Sequence, residues 1–202
     1  MDCYSHFELK IEAKPVAFHG KTVRSSITQT LWRKIRQQIL INKGHKCSIC
    51  GFAPEDDNMR SLHVHEIERH DFDNGVCELL DLNLICQKCH SFHHMGRTEK
   101  VSTKEQMKEL IEHFMKVNEC DYYDYKDYYL EARVKLGDLQ RVPTFDKVRY
   151  FISGDIPYKE DVVQQLKNNH LYSDIPANFN NKLEDCNKKS SKVIKVYKKH
   201  GM

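Results

Sequence analysis

Apolar residues recur at three- and four-residue steps in one early segment: Leu31, Trp32, Ile35, Ile39 and Leu40. That period predicts a helix over about 28–42, with Gly44 placed to end it and Arg33, Arg36 and Lys43 mainly off the apolar stripe. The period then changes. Leu62-His63-Val64-His65-Glu66-Ile67 alternates apolar with polar, which predicts a strand. Asp73-Asn74-Gly75 is a turn signal, because Asn-Gly tolerates the positive φ of a tight hairpin, and 76–85 reads as the returning strand. From Gln87 the chain is expected to wind into a short helix ending near Gly96. Ser102-Thr103-Lys104-Glu105 resembles a capping box ahead of Met107, Leu110, Ile111, Phe114 and Met115 at helical spacing. Further helices are expected over 121–136, a tyrosine-rich stretch, and over 158–169. Weak alternation of Phe7, Leu9 and Ile11 within 1–24 predicts an edge strand or an arm. Strand, turn, strand and helix set among other helices predict an α+β fold. Residues 137–186 read as a folded region, and 187–202 as a basic tail, disordered until it meets a partner.

Length and composition bound this picture. The 202 residues suffice for one ordinary domain or a small domain with an extension. Charged residues make up 30% and the mean hydropathy is −0.69, as in a soluble, polar protein. No run approaches the roughly 18–20 apolar residues of a membrane span, and the first twenty residues contain no apolar core of a secretory signal. A reducing, cytoplasmic setting without structural disulfides or membrane contact is therefore expected.

Seven of the twelve histidines (45, 63, 65, 70, 90, 93 and 94) and five of the eight cysteines (47, 50, 77, 86 and 89) fall between residues 45 and 94. A quarter of the chain holding most of its metal-capable side chains makes metal binding the first chemistry to consider. Cys47-x2-Cys50 and Cys86-x2-Cys89 are two pairs with 35 residues between them. Two intervening residues let both thiolates of a pair face one ion, and four thiolates complete the tetrahedron of a structural Zn2+. Cys3, Cys77, Cys120 and Cys186 have no such spacing and read as ordinary thiols. On a helix, His90 and His94 share a face, and Cys89 points about 100° away from His90, so opposite sides of one helix can serve two ions. His63 and His65 share a face of their strand.

Net charge is only +3, but it is unevenly spread. From Ala13 to Pro54 there are eight Lys or Arg and no acid, and the last sixteen residues add six lysines and no acid. Basic ends around a near-neutral body suit a polyanion. Arg33, Lys34, Arg36, Lys43, Lys46 and Arg97 are the candidate phosphate contacts.

These residues carry a resemblance. Cys47-x2-Cys50-Gly51, Leu62-His63-Val64-His65-Glu66-Ile67 and Asp81-Leu82-x3-Cys86-x2-Cys89-His90-x3-His94 resemble the HNH endonucleases, the ββα-metal family supported by paired zinc knuckles. The helix with Leu31-Trp32 and Arg36, and the run His113-Phe114-Met115-Lys116-Val117-Asn118, resemble the flanks of some bacterial and phage members, extending the likeness to 28–136; 137–202 lies outside it. The resemblance implies a small ββα-metal core over 45–96 within a nuclease domain over 25–136. It also implies a catalytic divalent ion (Mg2+, Mn2+ or another) held by His65, His90 and His94, and hydrolysis of phosphodiester bonds in DNA, with RNA left open. If Ile67 aligns with the apolar residue that follows the family's Asp-His or His-His, His65 is a ligand and Glu66 the base. A shift of one residue makes His65 the base, with His63 or Glu66 assisting the metal. Two departures stand out: a carboxylate at one base position, and Asp81 where the family has Asn, with Asn83 two residues on. The rival expectations are a zinc-stabilised nucleic-acid-binding module without catalysis, or a protein–protein adaptor.

Overall fold

The computed structural model describes residues 4–12, 14–55, 58–139 and 145–178. Among these residues the fold is mixed α+β, with seven helices and one three-stranded sheet. The basic tail expected over 187–202 lies outside the described residues, as do Cys3 and Cys186.

Helix α1 (Val23–Ser26) is capped by Thr22, and α2 (Gln29–Asn42) by Thr28, whose hydroxyl accepts the Leu31 N–H. Leu31, Trp32, Ile35, Ile39 and Leu40 form the buried face of α2, as its period predicts. Gly44 follows with φ of 63°, a left-handed conformation that suits glycine. Arg36 departs from the expected outward position. Its guanidinium turns inward and donates to the carbonyls of Met59 and, at 3.0 Å, Leu62, gripping the chain as it starts the first strand.

Strand β1 (Leu62–Asp71) pairs antiparallel with β2 (Val76–Cys86). The hairpin turn is organised by Asp71. One carboxylate oxygen accepts the N–H groups of Asp73 and Asn74, and the other accepts the Asn74 side-chain amide and the Asn178 N–H, each at 2.9 Å. Gly75, with φ of 64°, closes the turn beneath the Phe145 ring. The register shifts between Ile67 and Glu68, leaving Leu80 as an extra residue in β2. That bulge lets both Leu79 and Leu82 point into the core, although strict alternation would put them on opposite faces. Gly154 packs on the bulge so closely that a Cβ would lie 2.2 Å from the Leu80 carbonyl oxygen. Strand β3 (Arg149–Ile152) pairs parallel with 76–79 of β2, so β1 is left as an edge.

After β2 the chain enters α3 (Gln87–His93) directly, with Cys86 as the cap residue. The single helix expected to near Gly96 is broken at His94, and α4 (Met95–Val101) begins beyond it. The Thr98 hydroxyl donates to the Ser91 carbonyl at 2.9 Å across the break. Helix α5 (Lys104–Asn118) does begin with a capping box, but its partners are Thr103 and Gln106, one residue later than the sequence suggests. Helices α6 (Tyr122–Leu139) and α7 (Lys159–Asn168) complete the order.

No strand forms among the described residues before Val23; the alternation there belongs to an arm. Phe7 and Leu9 are buried, Phe7 in edge-to-face contact with Phe114 and Tyr128. The arm's backbone is satisfied by a side chain instead of a neighbouring strand. Buried Asn118 accepts the Leu9 N–H and donates to the Leu9 carbonyl, both at 2.9 Å. The Asn118→Ala variant would strand both groups, at about 1–3 kcal/mol for each buried unsatisfied partner. Chemical denaturation should show a loss of about 2–4 kcal/mol, and limited proteolysis should cut first in the arm.

Candidate functional site

Four cysteines converge from three places: the loop after α2, the end of β2 and the first turn of α3. The Sγ atoms of Cys47, Cys50, Cys86 and Cys89 lie within 4.8 Å of one another. Cys50 Sγ and Cys86 Sγ are 3.7 Å apart. A tetrahedron with Zn–S bonds of about 2.3 Å has edges of about 3.8 Å. The knuckle N–H groups point inward, from Cys50 to Cys47 Sγ and from Cys89 to Cys86 Sγ, each at 3.5 Å. His113 Nε2 on α5 lies 3.2 Å from Cys89 Sγ and braces the cluster from outside. Hydrogen bonds from Cys86 and Cys89 hold the Cys47 thiol far below its ordinary pKa, while the same hydrogen bonding, together with burial, pushes Cys86 and Cys89 up. Four sulfurs at this spacing could hold a metal ion, and as thiolates they would suit Zn2+.

The strand alternation sorts β1 into two faces. His63 and His65 share the face covered by α3, and Asn83 stands directly across from His65. The His63 ring stacks on His90 at 4.9 Å and the His65 ring on His93 at 4.2 Å. One ligand atom each of His65, His90 and His94 lies within 4.8 Å of the others. His90 Nε2 and His94 Nε2 are 3.2 Å apart, close to the roughly 3.3 Å edge of a tetrahedron with 2.0–2.1 Å metal–nitrogen bonds. The structure thus brings together the three histidines expected to hold a second ion.

Glu12 and His93 join them, and the sequence reading assigned neither a role. Glu12 reaches in from the arm. One carboxylate oxygen is 3.1 Å from His65 Nε2 and the other 2.9 Å from His93 Nδ1. The latter approach lacks hydrogen-bond direction, so both His93 ring nitrogens are buried without a hydrogen-bond partner. Burial alone would push the Glu12 carboxyl up. Its contacts with the two imidazoles and their charge outweigh this and hold it well below the carboxylate range. His93 was legible as part of a histidine run. Glu12 was not, because 53 residues separate it from His65.

The opposite face of β1 carries Glu66 and Glu68. Glu66 accepts the Arg24 N–H at 2.8 Å and belongs to no group of metal-capable side chains with His65. Burial and the charge of Glu68 push it up to about 8. Asp81 is exposed, accepting the N–H of its own neighbour Leu82.

A cleft of about 640 Å3 runs along the free edge of β1. The histidines lie on one side of it, and Lys14, Arg24, Arg36 and Arg60 contribute positive charge to its walls. Burial lowers the His63 pKa, and Arg36 and Arg24 lower it further. Burial and the neighbouring imidazoles bring His90 down to about 3, and His94 is lowered by burial and His65. Rings kept neutral in this way are competent ligands. Of the expected phosphate contacts, Arg36 alone lines this cleft. Arg33, Lys34, Lys46 and Arg97 are exposed elsewhere on the surface, and Lys43 is half-buried.

Comparisons of the chain with protein-family models, with curated proteins and with solved structures find no match.

Two outcomes are expected. Cys86→Ser should lose zinc, measured by metal analysis, and unfold the hairpin region, because units stapled by metal fold by binding it. Glu66 contributes stability that is complete below its ordinary pKa of 4.5 and is lost as pH rises through about 8. The thermal midpoint should therefore fall between about pH 5 and about pH 8, and Glu66→Gln should fall less over the same interval.

Proposed function

We propose that the chain is a metal-dependent endonuclease of the HNH type that hydrolyses phosphodiester bonds in DNA, with β1, β2 and α3 as its ββα-metal core. The observation that carries this reading is the convergence of His65, His90 and His94 at metal-ligand spacing, beside a four-cysteine cluster and facing a cleft with Arg24, Arg36 and Arg60. A divalent ion there would act as a Lewis acid on the scissile phosphate.

The chain's own residues divide the remaining work. Arg24, Arg36 and Arg60 attract and orient the phosphate. His90 and His94 would hold the ion, while His65 beside them is the base that takes a proton from the attacking water, and Glu12 fixes its ring and stabilises the imidazolium that results. Glu66 is the weaker candidate for base, since it lies on the opposite face of β1 and its carboxylate is engaged with the Arg24 N–H. Asn83, across from His65, is better placed than Asp81 to support the strand's histidines. Exposed Arg33, Lys34, Lys46 and Arg97, together with Lys43, would hold flanking phosphates without reading bases.

A zinc-stabilised nucleic-acid-binding module without catalysis is the second reading, favoured by Asp81 at the family's Asn position. Plasmid DNA incubated with Mg2+ or Mn2+, against EDTA, separates the two. Cleavage that requires the added ion supports the nuclease, and intact plasmid with retained binding supports the module. His65→Ala should lower the cleavage rate about 10²–10⁴-fold while sparing fold and DNA binding. Glu66→Gln should be milder. Cleavage by His65→Ala at the parent rate would sink the catalytic assignment.

A further inference from the structure

On the face of β1 turned away from α3, a third set of metal-capable side chains meets. Glu68 and His70 are two residues apart on β1, and Cys77 stands directly across from His70 on β2. One ligand atom from each lies within 4.8 Å of the others. The Glu68 side chain is 6% exposed, that of His70 14%, and Cys77 is fully buried. Phe18 covers the His70 ring at 4.6 Å between centroids.

Two polar atoms in this interior have no hydrogen-bond partner: Glu68 Oε1 and His70 Nε2. A buried carboxylate oxygen and a buried imidazole nitrogen without hydrogen-bond partners are costly unless something joins them. His70 Nε2 is 3.4 Å from Glu68 Oε2, long for a hydrogen bond. It does match the roughly 3.3 Å edge of a tetrahedron with 2.0–2.1 Å bonds to nitrogen and oxygen. The cation now nearest is the Lys14 ammonium, 2.6 Å from Glu68 Oε2, which leaves Oε1 untouched.

We propose that Glu68, His70 and Cys77 form a further metal site for a thiophilic divalent cation, Zn2+ above all, that pins the distal half of the hairpin. A carboxylate, an imidazole and a thiolate are all zinc donors, and three protein ligands leave one position for water. Cys77 loses its thiol proton to solvent when the ion binds. Lys14 competes with the ion for Glu68. The site is distinct from the four cysteines and from the histidines on the other face, and it does not depend on the nuclease reading.

The test is zinc titration of the full-length chain, stripped of metal under reducing conditions, with a competing chromophoric chelator. The parent should bind one equivalent more than Cys77→Ser or His70→Ala. Cys86→Ser should lose a different equivalent, so that the losses add in the double variant. Lys14→Met, which removes the competing ammonium, should keep the parent's stoichiometry and bind this equivalent at least about tenfold more tightly. Parent stoichiometry in Cys77→Ser and His70→Ala overturns the site. If either variant fails to fold by circular dichroism, Lys14→Met decides. Unchanged zinc affinity there means that Lys14, Glu68 and His70 are only an ion-pair network, and the proposal fails.

Discussion

Four cysteine sulfurs within 4.8 Å of one another are the constraint on which the rest depends. They tie the loop after α2 to the junction of β2 and α3, so a single ion would set the distance between the hairpin and the helix that crosses it. Cys86 is at once the last residue of β2, a member of the cluster and the cap of α3. The direction in which α3 leaves the sheet, and hence where His90, His93 and His94 point, follows from that residue. His113 extends the constraint to α5, which in turn holds the arm through Asn118.

The arm then decides the electrostatics. Glu12 meets His65 and His93 on one face of β1, and Lys14 meets Glu68 on the other. The two side chains thus put a carboxylate against imidazoles on one face and an ammonium against a carboxylate on the other. The buried Glu68 carboxylate gains an opposite charge in Lys14, which is the condition under which a charge tolerates burial. Burial first, and then the charge of Arg36 and Arg24, lower the His63 pKa and favour its neutral ring. Neutral imidazoles beside fixed cations suit a site for a metal ion and an anionic ligand together.

The sequence by itself determined most of the elements and a four-cysteine cluster that could hold a metal ion. The three- and four-residue period of Leu31, Trp32, Ile35 and Ile39, the alternation from Leu62, the turn at Asn74-Gly75 and the paired C-x2-C motifs are local signals, each written within a few residues. The i, i+4 spacing of His90 and His94 was legible for the same reason. Where a boundary rested on choosing between adjacent capping residues, as at Ser102 and Thr103, the local signal left it one residue out.

Only the tertiary structure decided what depends on residues far apart in the chain. The alternation of Phe7 and Leu9 could serve a strand or an arm, and the choice lay with Asn118, whose amide satisfies the backbone that a strand would have paired. Arg36 sits on a helix position that reads as outward, yet the carbonyls before β1 draw it in. Glu12 lies 53 positions from His65, and Cys77 meets His70 only because the hairpin register places them opposite. Helical and strand periods describe the chain over a few residues, whereas a cleft between an arm, a strand edge and a helix is set by packing and charge pairing that those periods do not encode.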